Sequence, residues 1–263
     1  MDLGIQGKRA LLLAASGGLG LASALALSRE GVDVAVSSSS KERAEEAAAR
    51  ISGETGNRAL GLPGDLSDPG NMDTLVEAAR SSLGGDIDIL FLNHGGPPLQ
   101  TALEVSQENL AAQVNMMVLS LIRITQKLIP AMIEQKWGRI FLVGASAIEQ
   151  PIPGNVLSNI YRNGMAQYCK TLAGDVIKDG VTVNVVSPTT ILTDRTRSTA
   201  SNAATKKGIT PEEELANREA NLPSGRFGDP EEYGAMVAFL SGKYAGYCTG
   251  ANWRVDGGNV KAL

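Results

Sequence analysis

The chain has 263 residues, 24 Lys and Arg against 28 Asp and Glu, and a formal charge of −4. Its 43% hydrophobic and 20% charged content fits one large or two small globular domains and excludes a disordered chain. With no basic surplus it does not read as a nucleic-acid binder. Two cysteines (Cys169, Cys248) and one histidine (His94) supply neither a disulfide framework nor a zinc-holding set, and suit a reducing compartment.

Residues 1–8 lack the basic region, apolar core and cleavage site of an export signal. No run reaches the 18 or so consecutive apolar residues that cross a bilayer. The expectation is a cytoplasmic protein without membrane or nucleic-acid partners. Residues 8–15 form an apolar run that ends in Ser16-Gly17-Gly18-Leu19-Gly20 and passes into helix-forming residues 21–29, stopped by Gly31. That order is strand, glycine turn, helix. Residues 32–36 are a second strand, with Ser37 to Ser40 as a polar exit loop feeding a helix over 41–51.

A strand at 59–62 leads to Asp65-Leu66-Ser67-Asp68-Pro69, where Ser67 or Asp68 is placed to cap a helix over 71–82. A buried strand at 87–92 ends at Asn93-His94-Gly95-Gly96-Pro97-Pro98. A long helix over 107–135 is expected to bend near Pro130. A strand at 139–143, a helix over 155–178 and strands at 181–186 and 252–255 complete the alternation. Short β-branched runs separated by helical patterns indicate parallel strands buried on both faces. The fold class is therefore a single-domain, Rossmann-like, doubly wound α/β sheet over residues 1–263. The one long irregular stretch, 194–228, is polar; it reads as a mobile substrate-loop segment or as a solvated pair of surface helices.

A glycine turn between first strand and first helix lets backbone N–H groups approach a pyrophosphate, and the helix N-terminus adds partial positive charge. Leu13-Ala14-Ala15-Ser16-Gly17-Gly18-Leu19-Gly20 resembles the T-G-x-x-x-G-x-G opening of the short-chain dehydrogenase/reductase family, with Leu13 and Ala14 replacing Thr and the first Gly. The resemblance covers nearly the whole chain. Asp65 resembles the family's adenine-contacting aspartate, and Asn93-His94-Gly95-Gly96 its N-N-A-G motif. Asn184-Val185-Val186-Ser187-Pro188-Thr189-Thr190-Ile191-Leu192-Thr193 resembles N-x-V-x-P-G-x-x-x-T, with Thr189 replacing Gly. Gly225-Arg226-Phe227-Gly228-Asp229-Pro230-Glu231-Glu232 and Val255-Asp256-Gly257-Gly258 match the C-terminal signature.

The resemblance implies a cofactor shell of Ser16, Gly18, Leu19, Gly20, Ser38, Ser39, Lys41, Asp65, Leu66, Asn93, Gly95, Arg162, Pro188, Ile191 and Thr193. Charge at the end of the second strand sets the cofactor preference. Four serines and Lys41 precede the first carboxylate, Glu42. Hydroxyls and a lysine suit a 2′-phosphate, so NADP(H) is favoured over NAD(H).

Family enzymes work through Asn, Ser, Tyr and Lys, with Tyr-x-x-x-Lys on one helix. Tyr161, Tyr168, Tyr233, Tyr244 and Tyr247 are followed four residues later by Met165, Leu172, Val237, Cys248 and Ala251. Counting from the flanking motifs puts the four family positions at Met117, Ala145, Ser158 and Arg162. A serine is a far weaker acid than a phenol, and arginine stays charged at any working pH. General acid–base help is worth roughly 10²–10⁴-fold, so its loss leaves a slow enzyme or a different one.

Ser158 and Arg162 share a helix face and are candidate catalytic residues, together with Ser146 beside Ala145. Tyr161 reads as packing against a neighbouring helix, and Asn115 as facing away. His94 has a pKa range suited to proton transfer, although a loop imidazole bonded to backbone is the preferred reading. Pro97-Pro98-Leu99 and Pro151-Ile152-Pro153 read as apolar walls or rigid loops.

The resemblance, closest to 3-oxoacyl-carrier-protein reductases, implies an NAD(P)(H)-dependent oxidoreductase acting on a carbonyl/alcohol pair of a small molecule. It also implies a homodimer or homotetramer, joined through the helices at 107–135 and 155–178. The altered positions leave open a nucleotide-binding protein without redox chemistry, a sensor or silent subunit, or a lyase holding an anionic substrate through Arg162.

Overall fold

The structure, a computed structural model, describes residues 1–262. Seven strands, β1 (Arg9–Leu12), β2 (Asp33–Ser38), β3 (Ala59–Pro63), β4 (Ile89–Leu92), β5 (Gly138–Val143), β6 (Val181–Pro188) and β7 (Asn252–Val255), form one sheet. Their order is β3-β2-β1-β4-β5-β6-β7, and every neighbouring pair is parallel. The expected doubly wound α/β architecture is what these residues build. Strand side chains alternate between two cores. Leu12, Val36, Phe91 and Phe141 pack under α1 (Gly18–Arg29), α2 (Lys41–Thr55) and α9 (Pro230–Ser241). Leu11, Ala35, Leu90 and Ile140 pack under α3 (Asn71–Leu83), α5 (Ser120–Glu134) and α6 (Val156–Val176). Both faces are covered, so the strands read as continuous apolar runs.

The chain order reverses between β1 and β4, and the loops leaving the strands' C-terminal ends diverge there. A crevice at that switch point is the usual ligand position of an open α/β sheet.

Several local features differ from the sequence reading. β2 continues through Ser37 and Ser38, both buried; only Ser39 and Ser40 form the exit, and Ser40 Oγ caps α2 by accepting from Arg43 N (3.2 Å). Neither Ser67 nor Asp68 caps α3, whose N-cap is Gly70. The Asp65 and Asp68 carboxylates instead accept from Ser67 N and Gly70 N, in turns preceding the helix. The helix over 107–135 is α4 (Gln107–Val114), a π turn (Asn115–Leu119) and α5. Pro130 lies inside α5, so the helical ladder is interrupted fifteen or so residues before the expected bend, where a π turn widens it. This stretch has the length and hydropathy of a membrane span, but Leu121, Ile124, Leu128 and Met132 of α5 belong to the core beneath the sheet.

Residues 194–228 hold the helix pair that was the second of the two readings: α7 (Asp194–Lys207) and α8 (Pro211–Ala220). Glu214 joins them through Lys207 (2.7 Å) and Arg218 (2.9 Å). Absent from the sequence reading is α9. Its start was available as Asp229-Pro230-Glu231-Glu232, a capping box with Pro at the first helical position. Tyr233 of α9 packs edge-on to Phe91 (6.5 Å between centroids), and its hydroxyl donates to Val186 O (3.0 Å).

Candidate active site

The loops after β1, β4, β5 and β6 enclose a cavity of about 500 Å³. At its first wall the chain leaves β1 through Ala14, which stands at φ +46°, a left-handed conformation that costs an L-residue with a Cβ roughly 1–2 kcal/mol. Asn93, at the end of β4, holds this bend by donating Nδ2–H to Ala14 O (3.0 Å). A Cβ on Gly20 would lie 2.6 Å from Ala15 Cα, so glycine there lets α1 close onto the strand exit. Gly18 has φ +53° and borders Thr193, while a Cβ on Gly17 would meet nothing within 4 Å. Gly17 caps α1 without a side-chain hydrogen bond. The first turn of α1 therefore presents its N–H groups beside open space, a cradle that fits a pyrophosphate. Gly18, Leu19, Asn93, Gly95, Pro188, Ile191, Thr193 and Arg162 all line the cavity.

The remaining expected cofactor residues lie beyond that lining. Ser16 Oγ donates to Ser38 Oγ (3.2 Å), which also accepts from Ser40 N (3.3 Å). Exposed Ser39 accepts from Arg43 Nη2 (3.2 Å). Arg43 is a basic residue that the sequence reading missed, although it stands two places past Lys41. Lys41 pairs loosely with Glu45 (3.7 Å). The Glu42 carboxylate accepts from Ser40 Oγ (2.8 Å) and so turns back onto the start of α2. Asp65 is exposed, and Leu66 is buried with its carbonyl accepting from Ser120 Oγ (2.7 Å).

Across the cavity, Ala145 follows β5 and Ser158 sits in the first turn of α6, only 2% exposed. One turn on, Arg162 Nη1 donates to the carbonyls of Val143 and Gly144. These two carbonyls fix the guanidinium at the cavity wall, and burial pushes its pKa down to about 10, with Arg195 adding a like charge. It remains a cation at neutral pH.

Ser158, Arg162 and Ala145 thus line one cavity. Met117 is buried in the π turn and is not among the lining residues, and Ser146 opens a short 3₁₀ turn outside the lining. Tyr161 donates its hydroxyl to Leu110 O (2.8 Å) and serves helix packing. Among the described residues, no tyrosine and no lysine lines the cavity.

His94 lines the cavity but is buried, with Nδ1 2.5 Å from Gly95 O. Burial first, then the charge of Arg162, pushes its pKa down to about 3, against the opposing hydrogen bond. Its suitability for proton transfer near neutrality is thereby lost. Asn155, beside Ser158, has a buried Oδ1 without a partner and also lines the cavity. It went unnoticed in the sequence because a lone asparagine in a proline-rich loop carries no pattern.

Comparison with known proteins covers nearly all of the chain. A family model described as enoyl-(acyl carrier protein) reductase matches residues 13–259. The 3-oxoacyl-(acyl-carrier-protein) reductase FabG of Haemophilus influenzae is 30% identical over 254 residues, 97% of this chain and 98% of that protein. The D-beta-hydroxybutyrate dehydrogenase of Cupriavidus necator is 30% identical, covering 97% of this chain and 99% of the relative. The crystal structure of L-sorbose reductase from Gluconobacter frateurii, complexed with NADPH and L-sorbose, superposes with a TM-score of 0.95. It shares 32% identity over the full length of both chains.

Proposed function

The chain belongs to the short-chain dehydrogenase/reductase family, and from that premise we propose that it is an NADP(H)-dependent oxidoreductase acting on a carbonyl/alcohol pair without the family's tyrosine and lysine. The observation that carries this reading is one cavity joining an open glycine cradle (Gly17, Gly18, Leu19) to Ser158 and Arg162. The sorbose reductase was solved with NADPH, which supports the cofactor. Toward its 2′-phosphate this chain offers Ser38, Ser39, Lys41 and Arg43, while the nearest carboxylate, Glu42, is engaged by Ser40. Gly18, Leu19, Asn93, Gly95, Pro188, Ile191 and Thr193 would hold the rest of the dinucleotide. Bound there, the cofactor supplies or accepts a hydride.

The residues of the chain then have distinct tasks. Ser158 Oγ–H donates a hydrogen bond to the substrate oxygen and fixes its position. Arg162, held by the Val143 and Gly144 carbonyls, keeps its charge and stabilises negative charge developing on that oxygen. Ser158 is too weak an acid to release its own proton, so the proton reaches the oxygen from water entering the cleft. His94, buried and neutral, takes no part in delivering that proton. The helix pair at 194–228 covers one side of the cleft as a movable flap, and the protein works in the cytoplasm as a dimer or tetramer.

The test is direct. Purified protein is titrated calorimetrically with NADPH and NADH, then mixed with NADPH and a panel of ketones, hydroxy-ketones, oxo acids and acyl thioesters while NADPH absorbance is followed. Tight NADPH binding with turnover of at least one class is the expected result. Binding without any turnover, including in single-turnover mixtures with hydride donor in excess, assigns the chain instead to the silent or sensing role.

A further inference from the structure

The relatives named above span thioester, hydroxy-acid and sugar chemistry, so likeness leaves the substrate class open; the charges in the cleft do not. Arg195 lies in the first turn of α7, after the Thr193 cap. Its Nη2 donates to Pro97 O (3.3 Å). A Cβ on Gly96 would fall 2.0 Å from its guanidinium carbon, so the guanidinium rests directly over the Gly96 backbone and a side chain there would have to displace it. Both Arg195 and Arg162 line the same cavity, and the charge of Arg195 reaches far enough to disfavour the charged forms of Arg162 and His94.

Two cations therefore face one cleft. Asp194 also lines it, yet among the described residues neither guanidinium forms an ion pair with a carboxylate, and backbone carbonyls are their only partners. Two like charges in a confined space favour an incoming anion, and a guanidinium's planar donors match a carboxylate edge. The two arginines occupy different stations. Arg162 is beside Ser158, where the reacting oxygen sits on the reading above. Thr193 borders Gly18 at the start of α1, whereas Arg195 borders Gly96 and Pro97 in the loop after β4. Thr196 and Thr199 of the same helix add hydroxyls to the wall, and Thr199 is fastened by Arg218, which donates to its Oγ1 (3.2 Å) and its carbonyl (3.1 Å).

We propose that the cleft takes a carboxylate-bearing substrate, an oxo acid or the matching hydroxy acid, with Arg195 as the residue that holds the carboxylate and selects for it. The proposal rests on the oxidoreductase reading for its chemistry, but not for its binding. It therefore has a readout in each. In turnover, kcat/KM is measured for 2-oxobutanoate and 3-oxobutanoate against their methyl esters. The acids lead by at least about tenfold, the lead shrinks as salt is raised, and in Arg195→Met the acid-to-ester ratio falls to about 1. Arg195→Lys retains part of the preference, since charge survives while the planar fork is lost.

In binding, NADPH-loaded protein is titrated with oxamate, an unreactive carboxylate probe, by thermal shift and NADPH fluorescence. The native protein responds and Arg195→Met does not. Circular dichroism confirms that the variant folds, and its Kd for NADPH stays within about threefold of the native value. Equal handling of acid and ester, or an oxamate response surviving in Arg195→Met, overturns the proposal. So does a large loss of NADPH affinity in that variant, which would assign Arg195 to the cofactor. If no substrate turns over but oxamate binds through Arg195, the oxidoreductase reading fails and the carboxylate site stands.

Discussion

His94 is the only histidine of the chain, so its ionisation can be followed without competing signals. The residue is 6% exposed; its imidazole is bonded to Gly95 O, feels the charge of Arg162, and has its pKa lowered to about 3. In the unfolded chain the same group titrates near 6.5. A depressed histidine pKa means that the unfolded chain takes up the proton first, so stability falls as pH drops below about 6.5 and continues to fall until the folded form also protonates near 3. At pH 5 the gap to the unfolded pKa is about 1.5 units; at about 1.36 kcal/mol per unit the loss relative to pH 7.5 is about 2 kcal/mol.

Other groups contribute to acid sensitivity, so the measurement is a difference. Urea unfolding of the native protein and of His94→Gln is compared at pH 7.5 and pH 5, and the native protein should lose about 2 kcal/mol more than the variant. Imidazole resonances of the folded protein should hold constant shifts from pH 8 to pH 5. Parallel stability curves for the two proteins, or a titration midpoint near 6, would refute the burial argument and restore His94 as a candidate proton donor.

Three further predictions concern separate parts of the site. Ala14→Gly releases the left-handed strain at φ +46°, offset by the greater freedom of glycine in the unfolded chain, and should raise stability by up to about 1 kcal/mol in urea titrations. Arg43→Ala removes the guanidinium beside Ser39. It should weaken NADPH roughly 10–100-fold while changing NADH little, as expected for one charge-assisted bond of about 1.5–3 kcal/mol and measured by calorimetry. Glu214→Ala breaks the carboxylate link to both Lys207 and Arg218; limited proteolysis should then cut within 194–228 faster than in the native protein, while far-UV circular dichroism of the rest of the fold stays unchanged. Equal cleavage rates would show that the helix pair is held by other contacts.

The doubly wound sheet was legible because its signal is local and repeated. The run Ile89–Leu92 is apolar on both faces and Val181–Pro188 is rich in valine, and helical patterns and glycine punctuation separate such runs. Ser158 and Arg162, four apart on α6, line one cavity with Ala145, since spacing along a helix converts directly into position. Local chemistry even marked α9 through its capping box, though that signal went unread. The sequence by itself thus determined the alternation of strands and helices.

The tertiary structure decided what those residues face. Whether the 107–135 helix bends at Pro130 or opens at residues 115–119 depends on packing against the sheet and α6, not on proline alone. His94 looked suited to proton transfer because an isolated imidazole titrates near neutrality; burial beside Arg162 removes that property, and burial is set by chain segments far away in sequence. Arg195 comes to Gly96 and Pro97, about a hundred residues earlier in the chain, only when the exit of β4 and α7 are folded together. Charge and desolvation act through space over a few ångströms, whereas sequence patterns report neighbours along the chain, so the character of the cleft could be read only after the chain had closed around it.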